Sequence, residues 1–162
     1  MSSINAGSQG KNRACSVQRL NLAFLIKAKD QCFIRWIQIK ADNIFKFFKK
    51  KIDLAIRKGI KKEHIIIDPG IGFGKNREEN LEIIASLGKL KKLRSLILLG
   101  ISRKSFLADK DGNPGSEGRL LGSLAATTIG VLNGADIIRT HDVADTLEVV
   151  KLAEVIRRVK NK

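Results

Sequence analysis

The stretch IIIDPGIGFGKN, Ile65 to Asn76, opens with three consecutive isoleucines, reaches a carboxylate at Asp68, and then sets glycines at 70, 72 and 74 ahead of Lys75. An unbroken run of β-branched residues predicts a strand buried on both faces. The glycines predict a tight loop after it. Two phosphate-binding fingerprints fail on spacing. A P-loop needs Gly at the position of Pro69 and a hydroxyl residue after Lys75, where Asn76 stands. The dinucleotide pattern G-x-G-x-x-G meets Lys75 or Arg77 at its third glycine. Asp68 is the informative residue, because a carboxylate closing a buried strand is costly unless something hydrogen-bonds it. Two readings stay open: an acceptor for the N–H groups of its own loop, or an acceptor for a polar heterocycle.

Working outward, the same texture repeats. Before the loop, Ile44, Phe48, Ile52 and Ala55 fall at helical spacing, with Phe45 and Ile56 beside them, Asn43 as a candidate N-cap and Gly59 as the stop. After it, a helix is predicted with Leu81, Ile84, Ala85 and Gly88 on one face, then a buried strand Leu96–Leu99 ending in GISRKS, Gly100 to Ser105. A loop over residues 109–115 leads to a helix expected to bury Leu121, Leu124, Ala125, Thr128, Ile129 and Leu132, stopped at Gly134. A third strand over 136–142 and a last helix burying Val149, Leu152, Ala153 and Ile156 complete the pattern. Residues 43–162 thus read α-β-α-β-α-β-α, an α/β fold with parallel strands.

Each predicted strand ends in ionisable residues: Asp68, then Arg103 and Lys104, then Arg139 and His141. Ligands of α/β folds sit at the carboxyl ends of parallel strands. Arg139 and His141, two apart on one strand, are expected to face one side. Together they suit an anion such as a phosphate. The competing reading pairs Arg139 with Asp136 or Asp142 and makes His141 structural. Arg103 and Lys104 have their own bland reading, a solvated pair at a loop entrance.

The chain's 162 residues suffice for one domain with a core. Its charge of +15 is lopsided: residues 1–62 hold 15 Lys and Arg against 3 Asp and Glu, and contain neither Glu nor Pro. The basic end admits a nucleic-acid-binding arm, but no recognition motif accompanies it and nucleic acid is not the expected partner. Cys15 and Cys32 give no metal or disulfide spacing. No apolar run of about 18 residues predicts a membrane span, and no signal peptide is read at the N-terminus. A cytoplasmic location is expected.

The segments IIIDPGIGFGKN, GISRKSF and GADIIRTHDV, in this order, with EGRLLGSLAA at residues 117–126 between the last two, closely resemble the C-terminal half of dihydropteroate synthases. The resemblance covers about residues 43–162. It implies a (β/α)8 barrel of the TIM type, here a truncated partial barrel. It implies a transferase of folate biosynthesis that joins p-aminobenzoate to 6-hydroxymethyl-7,8-dihydropterin diphosphate and releases diphosphate, with Mg²⁺. It implies no covalent nucleophile and no acid or base residue. Asp68 would bind the pterin; Lys104 would contact it and, with Ser105, line the p-aminobenzoate side. Phe73 would pack near the p-aminobenzoate ring, and Arg139 and His141 would hold the diphosphate. A homodimer is the family's expectation. The family's N-terminal loop, with the Asn that binds metal and phosphate, is not found, and neither is its M-H-M strand. Ser3-Ile4-Asn5 matches only the start of its I-N-D motif, with Ala6 in place of the Asp. Residues 1–42 are therefore set apart as an atypical basic segment, and the stretch from 6 to about 42 is read as a shifted or degraded frame. An inactive synthase fragment and a pterin-binding methyltransferase domain are the alternatives.

Overall fold

The structure, a computed structural model, describes residues 24–27, 41–108 and 117–160. Cys15, Cys32, the loop 109–115 and nearly all of the segment 1–42 lie outside the described residues. Eight main elements follow in chain order: β1 (Phe24–Lys27), α1 (Ala41–Arg57), β2 (Ile65–Asp68), α2 (Arg77–Ala85), β3 (Leu96–Leu99), α3 (Leu120–Leu132), β4 (Ile137–Ile138) and α4 (Val143–Lys160). The four strands form one parallel sheet in the order β1-β2-β3-β4. Phe24 pairs with Ile65, Ile67 with Ile97, and Leu99 with Ile138. Consecutive strands that neighbour one another in parallel, each separated by a helix, are part of an α/β barrel wall. The expected partial barrel is what the chain forms.

The core lies between β2, β3 and the helices that cover them. All four residues of β2 are buried, as its continuous apolar run predicts. α1 presents Ile44, Phe48, Ile52 and Ala55 to the core, all at most 6% exposed. Burying each large side chain contributes roughly 1.5–3 kcal/mol. α1 starts at Ala41, two residues ahead of Asn43. It ends in a Schellman turn, in which Ile60 N–H donates to Ala55 O while Gly59 takes a positive φ of 87°. Asn76 and Glu79 cap α2 reciprocally, each side chain accepting the other's backbone N–H at 2.8 Å.

Three expectations about which face is buried are corrected. In α2 the inward residues are Asn80, Ile83 and Ile84, while Leu81 is exposed. In α3 the inward residues are Ser123, Ala126, Thr127, Gly130 and Val131, while Leu121 and Ile129 face out. The cause is close approach: a Cβ at Gly130 would overlap Leu99 Cδ2. Only small residues let the helix sit that near the sheet. In α4 only Thr146 and Ala153 are buried; Leu152 and Ile156 are exposed. No helix among the described residues is long and apolar enough to cross a membrane.

Candidate functional site

The carboxyl ends of β2, β3 and β4 carry the polar groups. At the end of β2, the Asp68 side chain is only 3% exposed. Its Oδ1 accepts the Gly70 N–H at 2.9 Å, which answers the first reading of this residue: it does serve its own loop. Its Oδ2 is buried and no donor among the described residues hydrogen-bonds it. Arg139 Nη2 approaches Oδ2 to 3.7 Å, an ion pair too long for a hydrogen bond.

Gly70, Gly72 and Gly74 all take positive φ, at 67°, 75° and 63°, which side-chain-bearing residues rarely adopt. The loop therefore bends at every second residue. Ile71 points into the core at 1% exposure and anchors it. Asn80, 1% exposed on α2, accepts the Gly72 N–H at 2.7 Å and donates to Asn76 O at 2.7 Å. Lys75 Nζ folds back to donate to Gly70 O at 2.8 Å and Phe73 O at 3.2 Å. Burial lowers the Lys75 pKa, and the Glu79 and Asp68 carboxylates partly oppose the shift.

After β3, Arg103 takes a left-handed backbone with a φ of 57°, uncommon for a non-glycine residue. Three ties hold it there. Ser123 Oγ accepts its N–H at 2.8 Å, Arg119 donates to its carbonyl at 3.3 Å, and Asp142 receives its guanidinium in a fork through Nε and Nη2. The turn aims Lys104 back over the glycine loop. Its ammonium sits 4.1 Å from the Phe73 ring centroid, a cation–π contact. Its stem crosses Gly72, where an added Cβ would come within 2.9 Å of Lys104 Cδ. Ser105 follows at the rim and is exposed.

β4 is only two residues long, so Arg139 and His141 lie beyond it and strand alternation does not align them. Each is placed instead by a residue at the end of β3. Arg139 lies across Gly100; a Cβ there would meet its Nη2 at 2.6 Å. His141 rests on Ser102, whose Oγ accepts the His141 N–H at 3.2 Å and sits 2.9 Å from Nδ1. The same hydroxyl donates to Asp142 Oδ2 at 3.5 Å. The ring is thereby oriented through Nδ1, and Nε2 is the nitrogen left for a ligand. Arg139 pairs with neither Asp136 nor Asp142, which are engaged by Lys91 and Arg103. Asp142 has its pKa lowered, first by the hydrogen bond from Arg103 and also by the charges of Arg103 and His141.

The sequence-predicted residues thus divide into Phe73 with Lys104, Asp68 with Arg139, and His141 on Ser102, around one end of the sheet. Sequence reasoning missed the supports: Lys75, Asn80, Ser102, Ser123 and Asp142. Asn80, at the head of N-L-E-I-I and on the buried phase of Ile83 and Ile84, was an available signal. Among the described residues no group of three or more His, Cys, Asp or Glu could hold a metal ion. No chemistry is derived through the expected Mg²⁺.

The profile of the family described as "Pterin binding enzyme" matches residues 3–141. This chain belongs to the pterin binding enzyme family. The match begins within the basic segment and takes in β1, well ahead of residue 43. Among curated relatives, this family member is 42% identical over 118 residues to the dihydropteroate synthase of Clostridium beijerinckii, an alignment covering 72% of this chain and 44% of that protein. It is 39% identical to the Escherichia coli K12 enzyme, covering 71% of this chain and 42% of that one. A structure of dihydropteroate synthase from Clostridium difficile in the presence of pteroic acid superposes with a TM-score of 0.74 at 39% identity, covering 82% of this chain and 49% of that one. The Xanthomonas albilineans enzyme in complex with 7,8-dihydropteroate gives 0.74 at 29% identity, with 82% and 51% covered. The chain spans about half the length of these relatives or less.

Proposed function

We propose that the chain supplies the pterin-binding side of a dihydropteroate synthase, a transferase of folate biosynthesis. The observation that carries this is Asp68 Oδ2, a buried carboxylate oxygen that no described residue hydrogen-bonds. Leaving such an oxygen unmet costs roughly 1–3 kcal/mol or more. A ring presenting N–H donors, as a pterin does, would remove that cost and be oriented by it. Identity of 39% and 42% to named synthases supports the same reading.

In this reaction p-aminobenzoate attacks the methylene carbon of 6-hydroxymethyl-7,8-dihydropterin diphosphate. The C–O bond breaks and diphosphate leaves with its electron pair. The amine nitrogen forms the new C–N bond and sheds a proton to solvent. Negative charge grows on the leaving group, where Arg139 and His141 would stabilise it. Asp68 would hold the ring, and Lys104 would contact it from the facing loop. Phe73 and Ser105 would line the side from which the amine comes. Pairing of two copies belongs to the same reading; the outward Leu121, Leu147, Leu152 and Ile156 of α3 and α4 supply apolar surface for it.

Calorimetric titration of the pterin diphosphate into the purified chain tests the proposal. Binding that weakens on the order of tenfold or more in Lys104→Ala and in Arg139→Ala is expected. No binding by the parent chain would overturn it.

A further inference from the structure

We infer that Asn80 and Lys75 are positioning residues for Lys104, acting through the glycine loop. The inference rests on the reading that Lys104, Phe73 and Ser105 serve the p-aminobenzoate side.

Lys104 has two supports in the loop: the Phe73 ring, 4.1 Å from its ammonium, and the bare Cα of Gly72 beneath its stem. Both belong to a segment with three glycines at positive φ. Such a backbone has little intrinsic preference for one conformation, since glycine loses the most freedom on ordering. Something outside it must choose. Ile71 fixes one point in the core. The Phe73 N–H donates to Gly70 O at 3.2 Å, and two side chains add ties from outside the turn. Asn80 accepts the Gly72 N–H at 2.7 Å and donates to Asn76 O at 2.7 Å and Lys75 O at 3.3 Å. One buried amide thus ties the loop's midpoint to the capped start of α2. Lys75 gathers the carbonyls of Gly70 and Phe73 onto one ammonium, at 2.8 and 3.2 Å. That sets the residue that carries the ring. Neither side chain touches Lys104 in these ties; they fix the surface on which it lies. The Asp68 end meets these ties at Gly70, whose N–H is held by Asp68 and whose carbonyl accepts from Lys75.

The predicted signature needs no ligand. With isotope-labelled lysine, the ε-methylene protons of Lys104 resonate upfield in the parent chain because they lie over the Phe73 ring. The signal is assigned by its loss in Lys104→Arg. Asn80→Ala and Lys75→Met each return it to the free-lysine position. Lys75→Met leaves the buried face of α2 untouched, so it answers even if Asn80→Ala does not fold. An upfield signal that persists in Lys75→Met and in any folded Asn80 variant overturns the inference. The same variants are titrated with the two substrates. Affinity for the pterin diphosphate, which Lys104 would contact, falls in the direction of the Lys104→Ala loss, on the order of tenfold, and affinity for p-aminobenzoate in the presence of diphosphate falls with it. Parent-like affinity for both substrates in the folded variants also overturns it. If the parent chain binds neither ligand, the functional reading fails and the proton signal alone decides the positioning role.

Discussion

Replacing Asp68 by Asn separates its two oxygens. Oδ1 carries the hydrogen bond from Gly70, and Asn keeps an acceptor there. Oδ2 carries the charge toward Arg139 at 3.7 Å. Two unit charges at that separation attract by about 4 kcal/mol at an effective dielectric near 20. The Arg139 side chain is 47% exposed, however, and solvent screening reduces a pair of this kind to about 1 kcal/mol or less. Asn also removes the desolvation penalty of a buried carboxylate, which acts in the opposite direction. Folding stability therefore changes by no more than about 1 kcal/mol, or a few degrees in Tm. Binding responds differently. Hydrogen bonds from a pterin to a carboxylate contribute roughly 1.5–3 kcal/mol each, and the new amide turns an N–H toward the ligand's own donors. A loss of about 3 kcal/mol, on the order of 100-fold in affinity, is expected. Thermal unfolding and calorimetric titration of the same preparation measure both quantities. A drop of more than about 3 kcal/mol in stability with unchanged affinity would refute the reasoning and make Asp68 a loop anchor only.

Gly130→Ala should destabilise the chain by about 1–3 kcal/mol through overpacking against Leu99, read from urea unfolding. Leu121→Ser, on the exposed side of α3, should change stability by no more than about 0.5 kcal/mol. Ser123→Val on the inward side should cost about 1–3 kcal/mol by leaving the Arg103 N–H unmet; equal effects would contradict the assigned orientation of α3. Asp142 has a folded pKa below its unfolded value. Its stabilising contribution is therefore present above about pH 4 and is lost as pH falls through the lower folded pKa. Asp142→Asn should accordingly flatten the acid limb of the stability profile, seen by circular dichroism from neutral pH down to about pH 2, and a parallel displacement of the two profiles would count against the Arg103 fork.

How much of this was legible beforehand differs from element to element. β2 and the inward stripe of α1 were legible because large apolar residues on one phase have one physical meaning. α3 was misread for the opposite reason. Its contact with the sheet is made by Ser123, Ala126 and Gly130, whose value is their small size, and a search for large apolar residues selects the outward face. In the site, Asp68, Phe73, Lys104, Ser105, Arg139 and His141 were nameable from strand-end position and family resemblance. Their supports were not. Ser102, Ser123 and Asp142 reach partners about 20 to 40 residues away in the chain, and no local pattern announces a hydrogen bond of that span. Asn80 was hidden for a subtler reason: polar, yet buried, it occupies a core position on its helix to serve a neighbouring loop.

The absence of a side chain at Gly100 would couple the two halves of the proposed ligand through the protein. Across that gap Arg139 faces Asp68, so each charge is partly satisfied by the other before anything binds. A pterin arriving alone must compete with the guanidinium for the carboxylate. A diphosphate arriving alone must draw the guanidinium away from it. A molecule bearing both groups resolves the two conflicts at once, and linkage requires the coupling to be reciprocal. Free diphosphate should therefore strengthen the binding of an uncharged pterin, and the pterin that of diphosphate. The chain would discriminate by the joint presence of two chemical features, and Gly100→Ala, by pushing Arg139 aside, would uncouple them.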